Sequence, residues 1–389
     1  MASTYPTYKL GEVANIINGK NQKEVFDSNG QYPIYGSGGI IGYASDYLCN
    51  ENTTIIGRKG TIDNPNYVNQ KFWNVDTAFG IQPSEKIHPK YLFYFCQNFD
   101  FRSLDKSTTI PSLAKRDLLQ IPIPLPPLAT QLSIVTRIET LFAELDKGVE
   151  KLKTAQQQLK VYRQAVLNDC LTKDSEKWEN VKLGEVAEMC LGKMLDKNKN
   201  KGNYQPYLRN VNVRWGSFDL GDLLEMRFED SEQERYGLQN GDLIMCEGGE
   251  PGRCAIWNGE AQNMKIQKAL HRIRLKSSVS NKYVYYLFYH YAQNGLLEKY
   301  FTGTTIKHLT GQSLKTIDSP LPSLPIQQRI VQEIETRLSA CDEVEKQIAE
   351  SLQQAEALRQ SILKKAFSGE LVSEPVVDID IKNNNDEIC

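Results

Sequence analysis

Residues 108–128, TTIPSLAKRDLLQIPIPLPPL, return as residues 304–324, TTIKHLTGQSLKTIDSPLPSL, without a gap and at an offset of 196. A chain that repeats itself in order folds as two like modules, and this constrains it more than composition does. The offset is 173 where YKLGEVA (8–14) reappears as VKLGEVA (181–187). It is 192 where KYLFYF (90–95) reappears as KYVYYL (282–287), and it stays at 196 from Thr108 to about Leu167, opposite Leu363. The second copy therefore carries insertions upstream and none from Thr304 onward. Each copy is a length-tolerant module followed by a length-locked one.

The locked module opens on Pro124, Pro126 and Pro127, with Pro320, Pro322 and Pro325 in the second copy. Proline is excluded from a helix interior but stiffens the approach to one. Steps of three and four then give Val135, Ile138, Phe142, Leu145, Val149, Leu152, Gln156, Leu159, Arg163 and Val166. The same frame in the second copy gives Val331, Ile334, Leu338, Cys341, Glu345, Ile348, Leu352, Ala355, Arg359 and Ile362. Apolar residues at eight of ten positions in each make an a/d seam over about five heptads. A helix over 131–170 would run roughly 60 Å at 1.5 Å per residue. Matched length and frame predict that the two helices pair. The order of modules predicts an antiparallel pair, and Gln156, Arg163, Glu345 and Arg359 would fix its register. A solvated helix lying on its own domain is the alternative the sequence leaves open.

The variable modules alternate short β-rich runs with turn residues, as in YPIYGSGGIIGYASDY (32–47), TTIIGRKG (53–60) and GDLIMCEGGEPGRCAIW (241–257). Each ends in an aromatic-rich helix, expected over 90–98 and 282–294. Tyr91, Tyr94, Tyr283, Tyr286 and Tyr289 there are expected to face the core rather than stack on bases.

No catalytic centre emerges. NPNY (64–67) lacks the second proline of an amino-methyltransferase Asn-Pro-Pro-Tyr motif and reads as a turn. GSGGIIG (36–42) and GGEPGR (248–253) lack the Gly-Lys-Ser/Thr of a phosphate loop. His88, His271, His290 and His308 have no metal spacing, and the eight cysteines form no CxxC pair, so no metal site is expected. Scattered thiols, no apolar run of membrane-span length and no signal-peptide core give a cytoplasmic expectation, with no membrane partner.

The formal net charge of −2 excludes a uniformly basic coat, so charge is read by segment. Basic residues gather in the variable modules, at 193–214 and at 265–276, as on surfaces that meet DNA phosphates and base edges. Candidate contacts in the first module are Lys20, Lys23, Arg58, Lys59, Lys71, Arg102, Thr108 and Thr109. Those in the second are Lys193, Lys197, Lys199, Arg209, Arg214, Arg253, Lys265, Lys268, Thr304, Thr305, Lys307 and His308. Lys307 and His308 stand where the two copies differ just after Thr-Thr-Ile. From residues alone, a two-module nucleic-acid binder competes with a single-chain methyltransferase and with a protein-interaction scaffold.

Taken in order, and twice, the two KLGEVA openings, YPIYGSGGIIGY, TTIIGRKG, YLRNVNVRWG (207–216), GDLIMCEGG, the TTI segments, the PLPPL/PLPSL leads and the long helices resemble the specificity subunit of Type I restriction–modification systems. The resemblance spans residues 1 to about 371. It implies an α/β (α+β) chain with a pseudo-twofold internal repeat. The domains would be recognition domain 1 (1–125), a central spacer helix (126–172), recognition domain 2 (173–321), a C-terminal spacer helix (322–371) and an unstructured tail (372–389). The seam of the implied antiparallel coiled coil would hold Ile138, Phe142, Leu145, Val149, Leu152 and Leu159 against Ile334, Leu338, Ile348, Leu352 and Ile362.

The resemblance further implies a non-catalytic subunit that reads a bipartite double-stranded DNA site, one half per domain. Two modification subunits carrying AdoMet would methylate adenine, and two restriction subunits using ATP and Mg would join for cleavage. The chain itself would bind no cofactor. One departure stands out: MCEGG puts Glu247 where the first copy has the basic GRKG.

Overall fold

The computed structural model of the chain describes residues 5–196 and 198–372. Lys197 and the expected tail from 373 onward lie outside the described residues. The chain forms two compact units. One joins the residues up to Lys153 to those from Ala349 on, and the other is Thr154–Ile348. Each unit thus combines one variable module with parts of both long helices.

In the first unit β1 (Thr7–Lys9), α1 (Leu10–Val13) and β2 (Ala14–Asn18) precede β3 (Tyr32–Gly36), β4 (Gly39–Ala44), β5 (Thr53–Gly57), β6 (Asn66–Val68), β7 (Trp73–Asn74) and β8 (Ala78–Pro83). Then come α2 (Pro89–Asn98), α3 (Lys115–Leu118), β9 (Pro122–Pro124) and α4 (Leu128–Thr172). The sheets run β2-β8-β5-β6, β4-β3-β7 and β1-β9. β5 is buried along its whole length. Successive strand side chains point to opposite faces, so Ile56 enters the main core while Ile55 enters a second cluster with Cys49, Val68 and Phe72. NPNY is only partly a turn, since Asn66 and Tyr67 belong to β6 and pair with β5.

The second unit repeats this plan with β10 (Glu179–Lys182), α5 (Leu183–Val186), β11 (Ala187–Leu191), β12 (Asn203–Leu208), β13 (Val213–Arg214), β14 (Ser217–Phe218), β15 (Leu224–Phe228), α6 (Gln233–Tyr236), β16 (Leu243–Cys246), β17 (Cys254–Ile256), β18 (Lys265–Ile266) and β19 (Leu270–Leu275). It closes on α7 (Asn281–Gln293), α8 (Gly311–Lys315), β20 (Asp318–Leu321) and α9 (Leu324–Ser368). Its sheets run β11-β19-β16-β17, β15-β12-β18 and β10-β20, the same orders as before. The β13–β14 hairpin and α6 are additions between equivalent strands and fall where the offset grows from 173 to 192, and the last step to 196 comes after the start of α7, which is 13 residues long against 10 in α2.

The start of the locked half makes the same hydrogen bonds in both copies. The buried Gln131 carboxamide accepts from His88 N–H at 2.7 Å and donates to Pro126 O at 2.9 Å. Gln327, 196 residues on, accepts from Ser280 N–H at 2.8 Å and donates to Pro322 O at 2.8 Å. Tyr91 donates its hydroxyl to Pro124 O at 2.8 Å, and Tyr283 does the same to Pro320 O at 2.7 Å. Lys90 pairs with Glu139 at 2.5 Å and Lys282 with Glu335 at 2.7 Å. These bonds tie α2 and α7 to the starts of α4 and α9, and they are kept although the offset grows from 192 to 196 between the bonded residues. Tyr91, Tyr94 and Tyr283 are buried. Tyr286 and Tyr289 are half-buried against the core.

α4 and α9 are 45 residues each, about 68 Å by helical rise. α4 ends at Thr172, where the expected central helix ends. Within the first unit Arg359 pairs with Asp146, and its guanidinium lies 4.1 Å from the Phe142 ring centre. Within the second, Arg163 pairs with Asp342 at 2.6 Å and Glu345 at 2.9 Å. Arg163–Asp342 and Arg359–Asp146 are the same bond made at the 196-residue offset, as an antiparallel pair requires. Ile138, Phe142, Ile334, Ile348 and Ile362 are buried. Leu145, Val149, Leu152, Leu159, Leu338 and Leu352 are half-buried, as a seam only two helices wide leaves them.

Candidate nucleic-acid interface

Three loops meet in the first unit. They are the β3–β4 turn, the loop after β5 and the segment 105–113. Leu113 N–H donates to Arg58 O at 2.9 Å, Gly60 N–H donates to Pro111 O at 2.9 Å, and Lys59 bridges Ser112. Ser37 Oγ lies 3.6 Å from where a Cβ on Gly60 would sit. Gly60 has φ +83°, a left-handed turn that strains any other residue except, at lower cost, Asn or Asp. The Asp105 carboxylate clips both ends of the Thr-Thr-Ile segment. It accepts from Ser107 Oγ at 2.7 Å, Ser107 N–H at 3.0 Å and Ser112 N–H at 3.0 Å. These bonds, the Ser107 hydroxyl first, hold its pKa below the usual carboxylate range.

The second unit closes the same junction with different atoms. Leu309 N–H donates to Glu247 O at 2.7 Å, matching Leu113 on Arg58. Asn210 Nδ2 donates to Gly248 O, and Arg253 Nη2 donates to Asn210 O at 3.0 Å. Gly249, with φ +75°, stands where Gly60 does. The Thr-Thr-Ile segment is clipped by a backbone pair instead of a carboxylate. His308 N–H donates to Thr302 O at 2.9 Å and Thr302 N–H to His308 O at 2.8 Å. His271 Nε2 meets Leu309 O at 2.9 Å from below, and burial lowers its pKa.

Around these junctions the candidate contacts separate. Lys20, Lys23, Lys59, Lys268 and Lys307 are exposed and have no ion pair among the described residues. Arg58 is half-buried, with its guanidinium 5.7 Å from the Phe79 ring centre and a long 3.4 Å bond to Asp76 O. Thr108, Thr109, Thr304, Thr305 and His308 are exposed. Lys199 and Arg214 have loose partners, Asp196 and Asp219, each at 3.6 Å.

Other cations already have partners, and burial of Lys193 and Lys265 corrects their reading as phosphate contacts. Lys193 is 8% exposed, pairs with Glu232 at 2.5 Å and donates to Arg227 O at 3.0 Å. Lys265 is 3% exposed, and burial lowers its pKa. Arg209 is held by Asp222 at 2.7 Å, Arg253 by Glu250 at 2.6 Å and Arg102 by Asp63 at 2.5 Å. Lys71 donates to Tyr47 OH at 3.0 Å, which raises its pKa. The 265–276 patch dissolves in the same way, since the buried Arg272 pairs with Glu188 at 2.7 Å and Arg274 with the buried Asp242 at 2.7 Å. Lys193 and Lys265 are buried and so lie out of reach of a phosphate, whereas the partners of Arg102, Arg209 and Arg253 are exposed surface carboxylates.

Sequence reasoning passed over Asp105, Asn210, Gln131 and Gln327. The glutamines carried a legible signal, as identical polar residues at one offset inside an otherwise apolar frame. Among the described residues no helix is long and apolar enough to cross a membrane.

A Type I restriction modification DNA specificity domain matches residues 2–154 and 175–354. A putative type I restriction enzyme specificity subunit of Haemophilus influenzae is 27% identical, over 83% of this chain and 84% of that protein. The EcoKI specificity subunit of Escherichia coli is 28% identical, over 76% of this chain and 68% of that protein. Among solved structures, a chain of a type I R-M system aligns with TM-score 0.73 at 18% identity, covering 94% of this chain and 98% of that one. The HsdS subunit from Thermoanaerobacter tengcongensis aligns with TM-score 0.63 at 20% identity, covering 94% and 97%. At these identities the solved structures show a shared fold.

Proposed function

The chain belongs to the Type I restriction modification DNA specificity family, and from that premise we propose that it is the DNA-reading subunit of a Type I restriction–modification assembly. Each unit reads one half of a bipartite double-stranded site through its three-loop junction. Lysines such as Lys59, Lys268 and Lys307 meet phosphates, and Arg58 with the threonine-rich tips meets base edges. One junction reads only a few base pairs, each worth about 1–3 kcal/mol of discrimination. Two junctions add their energies, and α4 and α9 fix the unread spacer between the half-sites. Half-sites read from one side of the duplex lie about one turn, 34–36 Å, apart.

On this reading the chain performs no chemistry. Two modification subunits carry AdoMet and methylate adenine, and two restriction subunits with ATP and Mg join for cleavage. The observation that supports the reading best is the junction itself, which is built twice on matching backbone bonds with different side chains. Mapping methylated adenines in DNA exposed to the full assembly tests it. The expected pattern is two fixed half-sites across a constant gap. Methylation without a bipartite pattern, or methyl transfer by this chain alone, would contradict it.

A further inference from the structure

Ile110 and Ile306 occupy the same place in the two copies and are 62% and 65% exposed. A single exposed aliphatic side chain is ordinary. Two of them, at one offset, on the tips of clipped loops, are a built feature. The clips differ in chemistry. Asp105 bonds to Ser107 and Ser112 in the first unit. The Thr302–His308 backbone pair closes the second, where Gly303 turns with φ +90°. The residues after each isoleucine differ as well, Pro111-Ser112 against Lys307-His308, yet the β-branched tip and its two threonines are the same. An isoleucine with a restricted χ1 on a fixed loop is a stiff apolar probe. Two exposed threonines precede it in the chain, and an exposed lysine without an ion pair among the described residues stands close by, Lys59 bridged to Ser112 in the first unit and Lys307 next in the chain in the second.

We infer that Ile110 and Ile306 are specificity-determining residues, each touching the C5-methyl group of a thymine in the major groove of its own half-site. The methyl is the one apolar handle a base pair offers there, and aliphatic contact is its means of recognition. The neighbouring lysine anchors the backbone and sets the depth of approach. The threonines place hydroxyls beside the methyl, where they can bond to either donors or acceptors.

This inference rests on the DNA-reading function above, and its test separates the two. Duplexes bound by the full assembly are selected from a random library, using wild type, Ile110→Ala and Ile306→Ala. Ile110→Ala should lose a T·A preference at one position of one half-site, and Ile306→Ala at one position of the other. Replacing that thymine with uracil should weaken wild type about fourfold, the worth of one buried methyl, and leave the matching variant unchanged. The salt dependence of non-specific binding should be the same for all three proteins. Unchanged base preferences in both variants would overturn the inference. So would a loss spread over both half-sites, or a defect confined to assembly with the protein partners. A wild-type assembly that selects no sequence overturns the function reading, and this inference with it.

Discussion

Arg58 and Glu247 stand at one backbone position in the two units. Each offers its carbonyl to the leucine that ends the Thr-Thr-Ile segment, Leu113 or Leu309. Each takes its other bond from an equivalent turn, since Arg58 N–H donates to Thr77 O at 2.8 Å and Glu247 N–H to Ala269 O at 2.9 Å. The residues before those turn carbonyls are Asp76 in the first unit and Lys268 in the second. Arg58 and Asp76 in the first unit thus stand where Glu247 and Lys268 stand in the second, with the charges exchanged by position. Equivalent backbone bonds fix where these side chains stand, and the side chains themselves differ.

The comparison makes its strongest demand on the shared scaffold. Gln131→Ala leaves the His88 N–H and the Pro126 carbonyl without partners in a buried site, at about 3 kcal/mol in total. Gln327→Ala should cost the second unit the same, measured by denaturant unfolding. A large loss in one and none in the other would break the equivalence of the two scaffolds. Next come the exchanged charges. Arg58→Ala should weaken specific binding about tenfold and relax one half-site only. Lys268→Ala should weaken all duplexes alike and reduce the salt slope by about 0.9. A half-site effect from Lys268, or a uniform one from Arg58, would reverse those roles.

The smallest effect is with pH. His271 occupies the position that Phe79 holds in the first unit, and desolvation depresses its pKa below the ordinary 6.5. The unfolded chain then binds the proton more readily. Stability is full above pH 6.5 and falls as pH drops from there toward the folded-state value. His271→Phe, the first unit's own residue, should flatten part of that fall in thermal unfolding between pH 7 and 5. An unaltered profile would remove His271 from the account.

The periodic features were legible in the sequence. The heptad frame placed both helices, and Arg163, Arg359 and Glu345 were recognised as register residues because charge inside a seam needs a partner. The site was legible only in part. Windows of sequence count charges that three dimensions cancel, so Lys193, Arg272 and Arg274 looked free although Glu232, Glu188 and Asp242 stood 39, 84 and 32 residues away. Loop convergence was illegible for the same reason, since the contact between Glu247 and Leu309 joins segments that no local pattern links.

The central proposal is that the lengths of α4 and α9 set the spacer between the two half-sites. Deleting seven residues from both helices, centred on Thr154 and Glu350, keeps the heptad frame and shortens the pair by about 10 Å. Selection of bound DNA by the assembled variant should return the same two half-sites with a spacer about 3 bp shorter. The same half-sites at the original spacing would contradict the account.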